Sequence, residues 1–362
     1  MTETYRCWVE IDCAALRHNT SVARGRIGPA DILAVVKANA YGHGMVGVAE
    51  ALAEDVQLFG VANVEEAITL RGAVPHPIII LGPALPGERS TIFERGFIPA
   101  VSSFEEAQEY SRLGRASINF KIDTGMGRMG VVEAEAFSVF ERVSALPNLT
   151  IHSISTHLPV ANEETEYTRD QLARFDRIVR QFRAAAPGDY KVHVLQSAGT
   201  LAFNEKPYEI VRAGIILYGI SPLPEFQKLL QPAMTWKTRI GLIRDMPKGS
   251  SISYGRTFIT PRAMRIATLS AGYADGYPRH LSNRDAAVLV RGQRCPLLGR
   301  VTMDLMMIDV NNIDNVQVGD EVVLMGRQGD AEIPCAELAE KAGTITWDIT
   351  TRIGARVRRV FV

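Results

Sequence analysis

The sequence predicts an α/β protein, an N-terminal (β/α)8 barrel of the TIM type followed by a mainly antiparallel β domain. Between residues 31 and 211 short β-rich runs alternate eight times with amphipathic stretches, the expected signal of such a barrel. After Tyr218 the texture changes to SPLPEFQKLLQPAM, rich in proline and without periodicity, which reads as a crossing between domains. Beyond it MRIATLSAGY, AAVLVRGQRCPLLG and DEVVLMG set short apolar runs between Gly, Asn and Asp turns, as antiparallel strands do.

The first segment, CWVEID, precedes the first helix and does not fit the barrel repeat, so it is expected to pair with the second domain. The predicted bounds are therefore 12–225 for the barrel and 1–11 plus 232–362 for the β domain. The eight runs are 32–36, 58–61, 77–81, 98–101, 118–122, 150–155, 192–195 and 209–211. Helices are expected between them: Asn63 with Glu66, and Ser103 with Glu106, have capping-box spacing. Leu172, Phe175, Val179 and Phe182 repeat at helical spacing on an otherwise charged segment. An open doubly wound sheet is the alternative, since strand order is invisible in sequence. The absence of a GxGxxG turn after the first run weighs against it.

At 362 residues, 46% hydrophobic and 22% charged, the chain is long enough for two domains and too apolar for disorder. Lys plus Arg and Asp plus Glu are both 40, which leaves no positive excess to attract nucleic acid or an anionic membrane. A small-molecule partner is the expectation. The start MTETYRCWVEID lacks a secretory pattern, and no segment approaches the roughly 18 apolar residues that span a bilayer, so a cytoplasmic protein is expected. Cys7, Cys13, Cys295 and Cys335 lack zinc-type spacing and read as core or incidental thiols, with no metal site.

Barrel chemistry lies at the carboxyl ends of the strands. Lys37 stands there after the first run, inside AVVKANAYGHG, where an amine can lose solvation and become a nucleophile toward an aldehyde. A charged strand stop is the plain alternative. Lys121 and Asp123 end the fifth run, His157 follows the sixth, Ser197 the seventh and Arg212 the eighth. His157 alone could be structural and Ser197 a helix cap; their convergence on one rim is the stronger signal. Arg212 lies just ahead of Gly214, where backbone amides can approach a phosphate. An arginine beside a heteroaromatic nitrogen donates a hydrogen bond and leaves that ring neutral. In KIDTGMGRMG, Arg128 could fork onto a substrate carboxylate or serve as a surface ion-pair residue. SYGRTF holds Tyr254 and GYADGYPR holds Tyr273; a tyrosine can transfer protons, though most only pack. GRVTMD, with Met303 and Asp304, is by itself a strand and turn.

AVVKANAYGHG, KIDTGMGRMG, STHL, VRAGIILYG, SYGRTF, GYADGYPR and GRVTMD together resemble the pyridoxal-phosphate-dependent alanine racemases, in the family's order and over essentially the whole chain. The resemblance implies pyridoxal 5'-phosphate as cofactor, a small amino acid as substrate and a homodimer with shared sites. It makes Lys37 the cofactor-holding lysine and one of two acid/base groups. Tyr254 becomes the opposing base, reaching the site from the partner subunit. Removing the α-proton from one face and returning one to the other requires such a pair. By the same resemblance Arg212 partners the pyridine nitrogen with His193 in support, His157 packs by the ring, and Tyr41, Ser197, Gly214 and Ile215 contact the phosphate. Arg128, Met303 and Asp304 handle the substrate carboxylate, Lys121 matches a lysine often carbamylated beside that arginine, and Tyr273 stands at the mouth of the site.

The chain departs from the family pattern at three positions. Trp347 replaces a tyrosine that touches the phosphate and shapes the pocket, Gln196 an asparagine, and Thr302 a cysteine found in some members. Trp cannot accept a hydrogen bond, and one pocket side chain can change discrimination by about 1–3 kcal/mol, so a serine or broader racemase is an alternative to alanine. A pyridoxal-phosphate carrier would not need Tyr254, and no segment suggests a decarboxylase.

Overall fold

The computed structural model describes residues 5–203 and 208–362, which form two compact units. One comprises Ala14–Ala40 and Met45–Gln231; the other comprises Met1–Cys13, Tyr41–Gly44 and Pro232–Val362.

In the first unit eight strands, Asp31–Val35, Leu58–Val61, Ile78–Ile80, Ile98–Val101, Ala116–Asp123, Leu149–Ser155, Lys191–His193 and Ile210–Ala213, pair in parallel in chain order, with the eighth beside the first. Arg212 N donates to Leu195 O at 3.0 Å and brings the seventh and eighth together. The result is a near-closed barrel. An open doubly wound sheet is excluded, because its strand order reverses at a switch point. A further strand, Val131–Val132, pairs beside the fifth and is too short to carry a sequence signal.

The second to fourth strands are buried along their whole length, which is why they read as unbroken apolar runs. Polar residues enter the interior in the second half of the barrel. Asn119 and Lys121 alternate on one side of the fifth strand, and Ser153 and Ser155 on one side of the sixth, all buried. Outside, Asn63 and Ser103 cap their helices by accepting from Glu66 N at 3.0 Å and Glu106 N at 3.2 Å. The helix Thr165–Ala185 buries Leu172, Phe175, Ile178, Val179 and Phe182, and the Phe182 ring stacks on Phe140 with centroids 3.9 Å apart.

The second unit is built on a nine-stranded, mainly antiparallel sheet. Cys7–Ile11 lies between Met234–Met246, antiparallel, and Arg358–Phe361, parallel. Met234–Met246 also pairs with Glu321–Gln328 and, with an irregularity between Ile240 and Leu242, with Met264–Leu269. Trp236 is fully buried and donates from its indole nitrogen to Cys7 Sγ at 3.3 Å. All four cysteines are free thiols. Burial pushes the Cys7 thiol up to about 12 and Cys295 to about 11, so neither is a nucleophile at neutral pH. No helix among the described residues is long and apolar enough to cross a membrane.

Candidate active site

Lys37 follows the first strand of the barrel and opens an unusual turn. Ala38, Asn39, Ala40 and Tyr41 all have φ between 51 and 54°, four successive non-glycine residues in the left-handed region. Each costs about 1–2 kcal/mol, so the surroundings must impose the turn. Glu66 Oε1 accepts from Ala38 N at 2.7 Å while Oε2 accepts from Ala62 N at 2.8 Å. Asn39 Oδ1 accepts from Met45 N at 2.9 Å, and the Tyr218 hydroxyl donates to Val35 O at 2.8 Å. The end of the strand is thereby braced, and Lys37 with it. Burial lowers the basicity of the Lys37 amine, Arg128 and Arg212 lower it further, and Glu66 opposes them.

The Glu66 carboxylate thus binds the amides of Ala38 and Ala62 instead of closing a capping box on Asn63 N. Glu66→Ala strips two backbone amides of their acceptor and removes the carboxylate that favours the ammonium form of Lys37. It is expected to cost about 2 kcal/mol in urea unfolding and to lower the Lys37 titration further, followed by NMR of ¹³C-labelled lysine. An unchanged Lys37 titration would refute this account of Glu66.

Arg212, at the centre of the rim, is immobilised from four directions. Nη1 donates to His193 O and to His193 Nδ1, both at 2.9 Å; Nη2 donates to Thr156 O and Val194 O, both at 2.8 Å, and lies 3.3 Å from His157 Nδ1. A guanidinium can only donate, so His193 Nδ1 is an acceptor and its proton sits on Nε2, directed at Asn119 Oδ1 and Ser153 Oγ, each 3.2 Å away. Burial, then the Arg212 charge, holds His193 well below its ordinary range, and the same causes push His157 down to about 2. Both imidazoles are neutral at pH 7.

Asp123 organises the glycine-rich loop that carries Arg128. Its carboxylate accepts from the amides of Gly125, Met126, Gly127 and Arg128 at 2.9–3.1 Å. Burial raises its pKa, but those four donors outweigh it and hold the group low and ionised. A Cβ at Gly130, where φ is +120°, would meet Asp123 N at 2.6 Å, so the loop closes only with glycine there. Arg128 is exposed. Lys121 is buried; desolvation first, then Arg212 and Arg128, drive its basicity far down against Asp123.

At the seventh strand end Gln196 Oε1 caps the helix Ser197–Ala202 by accepting from Gly199 N at 2.8 Å. Ser197 is thus freed from the capping role, and its Oγ accepts from Gly214 N at 3.1 Å. Ile215 begins the 3₁₀ turn Ile215–Tyr218 directly after Gly214. Nine of the sequence-predicted residues, Lys37, Lys121, Arg128, His157, His193, Ser197, Arg212, Gly214 and Ile215, therefore belong to the barrel unit.

The others, Tyr41, Tyr254, Tyr273, Met303, Asp304 and Trp347, belong to the β unit. Tyr254 is 72% exposed in the single chain and borders a cavity of about 490 Å³ with Ser253, Thr302, Leu305 and Met307. Tyr273 N donates to Thr302 O at 3.0 Å and Ala274 N to Met303 O at 2.9 Å, which joins the Tyr273 turn to the Met303 turn. Arg356 bridges the two, with Nε 2.7 Å from Asp275 Oδ1 and Nη2 2.8 Å from Asp304 Oδ1. Trp347 is half-buried in the helix Thr346–Thr351.

Sequence reasoning missed Asn119, Ser153 and Thr156, which orient His193 and Arg212. A usable signal was present: polar residues two apart inside otherwise apolar strands point into a barrel.

At this rim Arg128 and Arg212 act on two further basic groups, Lys37 and Lys121, and the nearby carboxylates Glu66 and Asp123 are already occupied by backbone amides. Such a cluster of basic groups fits an anionic ligand, and an amine of lowered basicity fits an aldehyde, so the residues present fit pyridoxal phosphate. Barrel and rim define a member of the pyridoxal-phosphate-dependent class of barrel enzymes. Residues 11–222 match the family described as alanine racemase, N-terminal domain, and residues 233–361 the alanine racemase, C-terminal domain. An alanine racemase of Symbiobacterium thermophilum is 44% identical, covering 98% of this chain and 96% of its own. The crystal structure of alanine racemase from Bacillus anthracis with bound L-Ala-P is 35% identical, with a TM-score of 0.92 over 100% of this chain and 96% of that one. That of Bartonella henselae, with covalently bound pyridoxal phosphate, is 28% identical, with a TM-score of 0.90 over 99% and 100%. The chain belongs to the alanine racemase family.

Proposed function

We propose that this chain interconverts L-alanine and D-alanine with pyridoxal phosphate held on Lys37, and that Lys37 and Tyr254 exchange the α-proton from opposite faces. The observation that carries the reading is the lowered basicity of Lys37 at a strand end beside Arg128 and Arg212. Bound there, the cofactor supplies a carbonyl for amines and a ring that acidifies the α-hydrogen of an amino acid. Lys37 Nζ, its basicity lowered, would hold the cofactor through that carbonyl and would take or return the α-proton on its side. The Tyr254 hydroxyl holds the proton on the other. Arg212 stays charged and donates toward the pyridine nitrogen without protonating it, and His193 and His157 keep the guanidinium in place as neutral acceptors. Ser197, Gly214, Ile215, Tyr41 and Trp347 bind the phosphate; Arg128, with Lys121 beside it, Met303 and Asp304 orient the substrate carboxylate; Tyr273 lines the approach.

The test is a panel of L- and D-amino acids incubated with the holoenzyme in deuterated water, scored for α-deuterium and inversion. Alanine is expected to invert fastest, and serine to trail it. A holoprotein that inverts neither would end the racemase reading, and faster serine would reassign the substrate.

Tyr254, Met303 and Leu305 are 72%, 54% and 40% exposed in the single chain, an apolar group suited to burial against another protein surface. A second copy of the chain is the proposed partner, with Tyr254 serving its site. Specific activity is expected to fall on dilution as sedimentation velocity shows dissociation; full activity in a monomer would contradict this. The reading also carries a cytoplasmic location and a supply of D-alanine as cell-wall precursor.

A further inference from the structure

We propose that Arg359 is a positioning residue for the loop Tyr41–Gly44, and that through Tyr41 it sets how tightly the chain holds the phosphate of its cofactor. The inference rests on the reading of Tyr41 as a phosphate contact.

The Arg359 guanidinium binds backbone carbonyls from two stretches of chain. Nε donates to Gly42 O at 3.0 Å; Nη1 donates to Gly354 O at 2.6 Å and Val357 O at 2.7 Å; Nη2 donates to Ile353 O at 2.6 Å. None of these four acceptors is a carboxylate, and burial lowers the basicity of the group. A half-buried cation spent on neutral carbonyls gains geometry rather than charge pairing, and a planar fork reaches several acceptors that a single ammonium cannot. Three carbonyls belong to the turn before the last strand. The fourth belongs to the residue directly after Tyr41.

The loop has little room to find another position. Gly42, at φ +87°, packs so closely that a Cβ would collide with the Thr350 carbonyl. Gly44, at φ +101°, would bring a Cβ to 3.2 Å from the Phe361 ring and 3.4 Å from Arg359 Cγ. Between them His43 Nδ1 lies 3.1 Å from Tyr41 O. Tyr41 itself ends the left-handed run, a conformation that needs outside support. Arg359 is the side chain that holds the peptide on its far side to the carboxyl-terminal segment.

The experiment compares binding of pyridoxal phosphate and of pyridoxal, which lacks the phosphate, to the apo chain, its Tyr41→Phe and Arg359→Gln variants, and the double variant. Tyr41→Phe is expected to weaken pyridoxal phosphate about tenfold and pyridoxal less than about twofold, the scale of one hydrogen bond to a charged group. Arg359→Gln should lower the preference for pyridoxal phosphate over pyridoxal about fivefold, yet change it less than about twofold in the Tyr41→Phe background, because coupled residues are not additive. Equal weakening of both ligands by Arg359→Gln, or additive effects in the double variant, would overturn the inference and leave a structural arginine. Full pyridoxal-phosphate affinity in Tyr41→Phe would overturn the Tyr41 reading and the inference with it. An effect of Tyr41→Phe beside an inert Arg359→Gln would overturn the inference alone. Thermal melts accompany each variant, and if Arg359→Gln does not fold, Arg359→Lys, which keeps the charge and loses the fork, enters the same comparison with the same outcomes.

Discussion

Replacing Tyr254 by phenylalanine is expected to lower inversion of alanine by about 10²–10⁴-fold, the usual contribution of a positioned proton-transfer group. The ring is retained and only the hydroxyl is lost. Because Tyr254 is 72% exposed in the single chain, unfolding should move by no more than about 0.5 kcal/mol. Cofactor binding should be unchanged as well, since the residues assigned to holding the cofactor on Lys37 are intact. The diagnostic result is a split between two readouts in deuterated water. Exchange of the α-hydrogen by Lys37 continues for the enantiomer whose proton faces it, while inversion, which needs a donor on the other face, falls. Inversion and exchange that stayed equal to the parent's would eliminate Tyr254 as the second base. A carrier of pyridoxal phosphate would show no change in any property.

Arg212→Met is expected to have the largest effect on the fold. It leaves the buried carbonyls of Thr156, His193 and Val194 and the Nδ1 of His193 without their donor. The expected loss is about 3–5 kcal/mol in urea unfolding. The charge matters separately. After burial, the Arg212 charge is the largest influence lowering Lys121, His157 and His193, and it also lowers Lys37. His157 titrates at about 2 in the folded chain against 6.5 ordinarily, so the unfolded chain binds the extra proton between those values. Stability from this group is present above pH 6.5 and is lost as pH falls toward 2. For Lys121, whose folded basicity is also depressed, the unfolded chain again binds more protons, and stability rises with pH up to the ordinary value of 10.5. Without Arg212 both windows narrow from their low ends, so the variant's urea midpoint should depend less on pH than the parent's. A loss below about 1 kcal/mol with unchanged pH dependence would show that Arg212 is not the keystone of this rim.

The barrel strands were legible because short β-rich runs, the first four mainly apolar, recur eight times at intervals that accommodate a helix. Lys37, His157 and Ser197 follow the ends of such runs, and Arg212 lies within the last strand, Ile210–Ala213. The left-handed turn after Lys37 was not legible. Ala, Asn, Ala and Tyr carry no signal for positive φ, and the turn depends on Glu66, whose capping-box spacing discloses only the start of its helix. Asn119 and Ser153 were passed over because a polar residue in a strand reads locally as an interruption. Ser197 was open between cap and ligand until Gln196 proved to be the cap.

The sequence by itself determined the periods, the strand ends and the segments that mark the family, since each is a property of a few neighbouring residues. Tertiary structure alone decided that the eighth strand lies beside the first, and that Arg212 fixes the tautomer of His193. It also decided that Lys37 loses basicity to burial and two arginines, and that Arg359 reaches Gly42 across 317 positions of chain. Hydrogen bonds and charge interactions depend on separation in space, and the residues that make them here are far apart in sequence.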